Sequence, residues 1–487
     1  MKSLHQLVIL VLSVAALHGC TLRLSLPDVD SPASAVLRIS PINPRYFTDG
    51  SGKAIYLTGS HTWTGLIDRG AADPPPPFDF QRYLELLQSS NHNFIRLWSR
   101  HVTRYQSYGQ DILYGAPLPW PRSGIGTAQD GKPRFDLNRF DNHYFTRLRD
   151  RVVAAQNRGI YVSIMLFGGQ IEINEWAGNP FNVDNNSDGI NGDVDGDGKG
   201  DIHRLPLSPD VDAIQKAYVR KVIDTVNDLD NVLFEISNEG ELSSVAWQYQ
   251  LVNYIKDYEA GRIDGVVRKQ HPVGMTALWT TDNSALFRSV ADWISPGAMI
   301  FDDPLRDPYI GDPPAADGSK VSILDSDHLF FDLIVDNPKL ARNWVWKSFL
   351  RGHNPILMDN IFDDSTGRAV APVLRDRGFI AARAALGHTR RYANTMNLLA
   401  MLPRGEFTST GYALAKPDAE YIIYQPLAEP FTVNLASGTY AYEWFNPSSG
   451  TVYSTGSISV ADGNNSFVAP FDGDAVLYLK NMVSKDH

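Results

Sequence analysis

The pair Asn238-Glu239 ends a short apolar run, Asn231-Val-Leu-Phe-Glu-Ile-Ser237. That run reads as a buried parallel strand. A carboxylate placed there has no packing role, and burying it unpaired is costly. It points to chemistry unless Glu239 is a helix-capping or loop residue. Further acids follow later apolar runs: Asp325 and Asp327, the latter beside His328, and then Asp359. Two carboxylates flanking a glycosidic bond can cleave it. One protonates the leaving oxygen, and the other attacks the anomeric carbon or activates water. Asp327 is the favoured partner of Glu239, because it lies beyond its strand and next to His328. Asp325 would cap the strand, and Asp359 is the competitor. The Asp327-His328 pair also has a purely bracing reading. His61 and Arg96 are candidate substrate contacts, although Arg96 can equally hold a carboxylate ionised. Trp63, Trp98 and Trp279 offer flat faces for sugar rings, or simply core.

A second cluster has metal-binding spacing. Asp193-Val-Asp195-Gly-Asp197-Gly198-Lys199-Gly-Asp201 follows the pattern of an EF-hand calcium loop, with alternating oxygen donors around a glycine turn. Lys199 would contribute its backbone carbonyl. Arg204 stands where the loop's twelfth residue is ordinarily a bidentate glutamate, so Asp184 or Asp188 would have to complete a Ca2+ site. The alternative is a solvated acidic loop. No organic cofactor is expected.

These side chains need a scaffold that gathers strand ends. Eight apolar runs alternate with helical patterns: 55–58, 93–98, 160–167, 232–237, 273–277, 292–295, 321–324 and 356–358. Between them, Tyr144, Leu148, Val152 and Ala155 share a helical face that ends at Gly159. Ser208-Pro209 and Asn337-Pro338 each read as a helix N-cap followed by a first-turn proline. The expected fold is α/β, a (β/α)8 TIM barrel followed by a small all-β sandwich. No glycine-rich phosphate loop follows the first run, which argues against an open dinucleotide-binding sheet. In a barrel the fourth and seventh strands deliver Glu239 and Asp327 to opposite sides of one mouth. Beyond Asn397 short β-type runs are separated by turn signals such as Asn446-Pro-Ser-Ser-Gly450. The boundaries read as a signal peptide over 1–20, a linker over 21–37, the barrel over 38–397 with the acidic loop at 184–201, and the sandwich over 398–487.

Phe234-Glu-Ile-Ser-Asn-Glu239 resembles the strand-four signature of the large retaining clan of (β/α)8 glycoside hydrolases. That resemblance implies Glu239 as general acid/base and Asn238 as the contact to the sugar 2-hydroxyl. Asn43-Pro-Arg-Tyr-Phe47, Leu57-Thr-Gly-Ser-His-Thr-Trp63, Asn93-Phe-Ile-Arg-Leu-Trp98 and Trp346-Lys-Ser-Phe-Leu-Arg-Gly-His353 are similar to one branch of that clan. This is the apiosidase-like branch with a C-terminal β domain sometimes labelled collagen-binding. The similarity covers most of residues 40–487. It departs at strand seven, where the clan has a glutamate nucleophile and this chain has aspartates. An aspartate is one methylene shorter, so either the backbone approaches closer or a water fits between and inversion follows. The resemblance implies a glycosidase acting on a plant or algal polysaccharide or oligosaccharide. The missing glutamate keeps open a second reading, a non-catalytic glycan-binding surface lipoprotein.

Composition agrees with a large globular body. The chain has 487 residues, 43% of them hydrophobic, and a net charge of −11. It offers no basic stripe for a nucleic-acid partner. The apolar run from Leu7 to Leu17 suits a signal-peptide core and is too short for a membrane span. Cys20, the sole cysteine, follows Leu17-His-Gly19 in a resemblance to the bacterial lipoprotein box, with His18 a departure. Lipidation at Cys20 would tether a monomer to the cell envelope, Thr21 favouring the outer membrane. Lipid would then be the only membrane contact. The alternative is a plain signal peptide with a coincidental cysteine.

Overall fold

A computed structural model describes residues 35–105, 112–169, 173–329, 331–359 and 376–483. Cys20 and the signal segment lie outside the described residues. Eight strands form the barrel: β1 Gly59–His61, β2 Phe94–Trp98, β3 Tyr161–Gly168, β4 Val232–Asn238, β5 Val273–Thr276, β6 Trp293–Ser295, β7 Val321–Asp325 and β8 Asn354–Met358. They are hydrogen-bonded in the order 1-8-7-6-5-4-3-2, and every pairing is parallel. Their residues are buried at nearly every position, which is why the runs read as continuously apolar rather than alternating.

The first strand differs from the expected 55–58. Ile55 makes only an isolated bridge to Phe47, and the ladder begins four residues later at Gly59. Side-chain amides take the place of the ladder upstream. Leu57 N–H donates to Asn354 Oδ1 at 3.1 Å, and Thr58 N–H donates to Asn93 Oδ1 at 3.0 Å. Asn93 also donates from Nδ2 to Tyr56 O at 2.9 Å and from its backbone N–H to Thr58 O at 2.9 Å. This asparagine closes the barrel between β1 and β2, where no strand ladder runs. Glycine is required beside it: a Cβ on Gly59 would lie 2.4 Å from Phe94 O. His61 is therefore the last residue of β1, inside the barrel, and not a loop residue above it.

Among the described residues the six longer helices are α1 Phe80–Ser89, α2 Asn142–Gln156, α3 Pro209–Val226, α4 Val245–Glu259, α5 Pro338–Leu350 and α6 Arg377–Thr395. Ser208 caps α3 through Val211 N–H and Asn337 caps α5 through Leu340 N–H, each before a first-turn proline. Gly159, with φ +66°, turns the chain from α2 into β3.

The C-terminal domain holds β9 Leu402–Pro403, β10 Ala413–Lys416, β11 Glu420–Gln425, β12 Phe431–Leu435, β13 Gly438–Asn446, β14 Thr451–Val460, β15 Gly463–Phe467 and β16 Ala475–Asn481. An antiparallel sheet in the order 9-10-11-16-13-14 faces the two-stranded pair β12–β15. Alternate residues divide the large sheet between two cores. Tyr421, Ile423 and Leu477 face β12 and β15, whereas Ile422, Tyr424, Phe445 and Val476 share a core with Trp344, Trp346, Phe349 and Tyr392 of α5 and α6. Arg342–Asp474 at 2.9 Å and Arg391–Glu443 at 3.0 Å pin this interface.

Because the Asn93 side chain satisfies two buried backbone groups just upstream of β1, Asn93→Ala is expected to lower the unfolding free energy by about 2–4 kcal/mol, as urea denaturation would measure.

Candidate active site

Arg96 sits near the middle of β2 with both neighbours apolar, and it is 2% exposed. A guanidinium there must find carboxylates, and the neighbouring strands supply them. Arg96 donates to Glu235 of β4 (Nη2–Oε1 2.6 Å), to Asp325 at the end of β7 (Nη1–Oδ2 2.7 Å) and to Asn238 Oδ1 (2.8 Å). Ser163 of β3 adds a hydroxyl to Glu235 Oε2 at 3.0 Å. Asp327 Oδ2 lies 4.0 Å from Nη1.

Two neutral histidines complete the layer. Trp98 Nε1–H donates to His61 Nδ1 at 3.2 Å, so His61 carries its proton on Nε2 and donates it to Asp325 at 2.9 Å. Burial lowers the His61 pKa in spite of Asp325. His328 likewise sits between Ser295 Oγ at 2.9 Å and Asn238 Oδ1 at 2.8 Å, and burial brings it down to about 3. Asn238 Oδ1 thus accepts from Arg96 and His328, which fixes its amide. Its Nδ2 faces Asp327 Oδ2 at 3.3 Å.

Glu239 follows at the strand's end with φ +47°, a left-handed conformation that costs a non-glycine residue about 1 kcal/mol or more. The turn is fixed from below. A Cβ on Gly169 would lie 1.6 Å from Asn238 O, so the end of β3 can approach only as glycine. Glu239, Asn238 and Asp327 line one pocket with Trp63, Trp98, Arg100, Met165, Gly168 and Gly169. Burial raises the Glu239 pKa to about 7; Arg96 opposes the rise and Asp325 adds to it. Asp327 is also pushed well above the usual carboxylate range, first by burial and then by Glu239 and Asp325. Asp325 moves the other way: burial alone would raise it, but His61 and Arg96 hold it well below. One acid at this mouth is therefore permanently ionised, and the two facing the pocket compete for a proton.

Five of the sequence candidates meet in the pocket: Trp63, Trp98, Asn238, Glu239 and Asp327. Arg96, His61, His328 and Asp325 lie buried behind it, positioning the others rather than lining the cavity. Asp359 is displaced from the expected role. It is fully buried and paired with Arg383 of α6 at 2.8 Å, and burial raises it to about 6. It does not line the pocket. Trp279 is outside the pocket wall and half exposed. Sequence reasoning missed Glu235 as a structural partner. Its signal was present: one acid inside Val-Leu-Phe-Glu-Ile and one base inside Phe-Ile-Arg-Leu-Trp have to meet in a barrel core.

In the acidic loop, one carboxylate oxygen each from Asp193, Asp195 and Asp197 lies within 4.8 Å of the others. Asp193 accepts from Gly196 and Gly198 N–H, and Asp201 from Val194 and Asp195 N–H. Arg204 pairs with Asp195 and Asp201 and so neutralises two of the ligands expected from the sequence. Asp188 is engaged elsewhere, accepting from Leu137 N–H and Asn138.

A sequence family described as "Putative collagen-binding domain of a collagenase" matches residues 402–480. No curated protein matches the chain. Among solved structures, a protein titled glycoside hydrolase superposes with TM-score 0.60 at 14% identity, covering 94% of this chain and 100% of the other. A glycoside hydrolase family 5 protein from Bacteroides vulgatus ATCC 8482 gives TM-score 0.59 at 13% identity, covering 92% and 94%. The fold is shared with glycoside hydrolases. At these identities the likeness concerns architecture, and the site must be argued from its own residues.

Arg96→Met would strand Glu235 and Asp325 as buried uncompensated charges. It is expected to cost about 3–5 kcal/mol in urea unfolding at neutral pH, the scale for breaking one partner of a buried pair.

Proposed function

We propose that this protein is a glycoside hydrolase acting on a plant or algal polysaccharide or oligosaccharide. The observation that carries the reading is the pair Glu239 and Asp327. They come from β4 and β7, on opposite sides of the barrel, and line one pocket with Asn238 between them. Burial raises the proton affinity of both, and the Glu239 charge raises that of Asp327 further, so near neutral pH the pair holds one proton. In the roles assigned here Glu239 keeps it and delivers it to the glycosidic oxygen. Asp327 stays ionised, helped by Arg96 and by the Asn238 amide. Its carboxylate either attacks the anomeric carbon or activates a water, and the anomer released distinguishes the two. The second Nδ2 hydrogen of Asn238 is the donor for the sugar 2-hydroxyl. Trp63 and Trp98 supply apolar faces to the ring.

The apiosidase-like branch remains the finer reading, supported by the motif-bearing segments on β1, β2 and α5. For the C-terminal domain we favour a buttressing role over collagen binding, because one face of its sheet is spent on α5 and α6. Lipidation at Cys20 would place the pocket at the bacterial cell envelope, and intact mass of the envelope-extracted protein would test it.

Against a panel of pectic and algal glycans, Glu239→Gln and Asp327→Asn are each expected to lower turnover at least about 10³-fold while leaving the melting temperature near that of the parent. Full activity in Asp327→Asn would reject the proposed partner. Saturable binding without product from the unaltered protein would decide for a glycan-binding protein. The sign of the pH dependence follows from the acid. Glu239 must be protonated, so kcat/KM should fall as pH rises through about 7.

We also propose that the acidic loop takes Ca2+, on the strength of its spacing and the three converging carboxylates. Added Ca2+ should then raise the melting temperature of the chelator-treated protein, and Asp193→Ala should abolish the rise. Identical melting with Ca2+ and with chelator would reject the site.

A further inference from the structure

We propose that Trp279, with Phe301, forms a subsite for the sugar ring on the leaving-group side of the scissile bond. The substrate would then be a glycan with a sugar at that position, not a glycoside of a small alcohol. This inference rests on the glycosidase reading above.

The argument is one of position around the barrel. The pocket wall is built from β1 to β4, through Trp63, Trp98, Met165, Gly168, Asn238 and Glu239, and is closed by Asp327 from β7. Trp279 follows β5 and stands on the other flank of Glu239. The two are tied together by backbone. Gly240, the residue after the acid, pairs in parallel with Leu278, and Trp279 N–H donates to Gly240 O at 2.9 Å. Any shift of the acid's turn would therefore move the indole with it.

The side chains here are unlike the rest of the site. Trp279 is 50% exposed, and its ring lies 5.8 Å from that of Phe301, with 34° between the planes. Phe301 is itself 38% exposed, and Met299 and Ile300 beside it are also open to solvent. This apolar rim is held in place rather than loose. Buried Asp307 accepts from Met299 N–H and from Ile300 N–H with Oδ2, and from Tyr309 N–H with Oδ1. A fixed, flat, apolar surface in water is a binding surface in waiting. A general acid must reach the oxygen between the cleaved sugar and its leaving group. A ring held in the pocket on one side of Glu239 therefore sends its leaving group past the acid, toward Trp279. Sugar rings have apolar faces that stack on such a plane.

The test compares two substrates. One is the glycan that the parent protein cleaves in the panel above. The other is the glycosyl fluoride of the released sugar, whose leaving group is a single atom. Trp279→Ala is expected to lower the ratio of kcat/KM on glycan to kcat/KM on fluoride by about 10–100-fold, mostly through KM. Trp279→Phe should restore part of that ratio, which a merely structural loss would not do. An unchanged ratio, whether through no loss or through equal loss on both substrates, overturns the subsite. Glu239→Gln separates this failure from the other. If that variant still cleaves the glycan, it is the role of Glu239 as the acid that falls; if the parent protein cleaves nothing in the panel, it is the glycosidase reading.

Discussion

One guanidinium organises the mouth of this barrel. Arg96 is buried where water cannot solvate it, so its charge is balanced by Glu235 and Asp325, and its remaining reach fixes Asn238. Strands β2, β4 and β7 are tied to one another through it. The consequence for chemistry is a division of labour among acids. Glu235 and Asp325 are held against the cation and lie behind the pocket rather than in its wall. Glu239 and Asp327 line the pocket itself, where burial raises the proton affinity of both.

The histidines follow from the same constraint. A positive charge on His61 or His328 would have to coexist with Arg96 in a dry interior. Each is instead kept neutral by burial and oriented by a donor at Nδ1, Trp98 in one case and Ser295 in the other. Their Nε2 protons then point at Asp325 and Asn238. They orient the site without titrating near neutrality, a role that residue type alone does not reveal.

How much of this was readable in the sequence depended on the kind of force involved. Long apolar runs bounded by caps and turns showed the barrel strands, and the break in pattern after Asn397 showed the second domain, because burial leaves a local imprint. Asn238-Glu239 and Asp327 were legible for the same reason: polar residues at the ends of buried runs. The first strand was misplaced by four residues because Asn93 and Asn354, distant in sequence, satisfy its upstream backbone. Asp359 stood as the competitor to Asp327, since both follow a barrel strand. Only the packing of α6 shows that Arg383 draws it away from the mouth. Glu235 left a trace, an acid inside an apolar run, but only the fold shows that Arg96, far away in sequence, is the base it meets.

The large sheet of the C-terminal domain is covered on both sides along β10, β11, β16 and β13, while its edge strand β14 stays largely exposed. Its outer face meets β12 and β15, and its inner face shares one continuous core with α5 and α6. Those helices flank β8, the strand after the one that carries Asp327. The two domains are therefore not beads on a string. Trp346, stacked on Tyr424 with ring centres 6.0 Å apart, would be stripped of its cover if residues 402–480 were cut away. The barrel and its appendix share one sealed core, and transplanting either alone would leave that seam open to water.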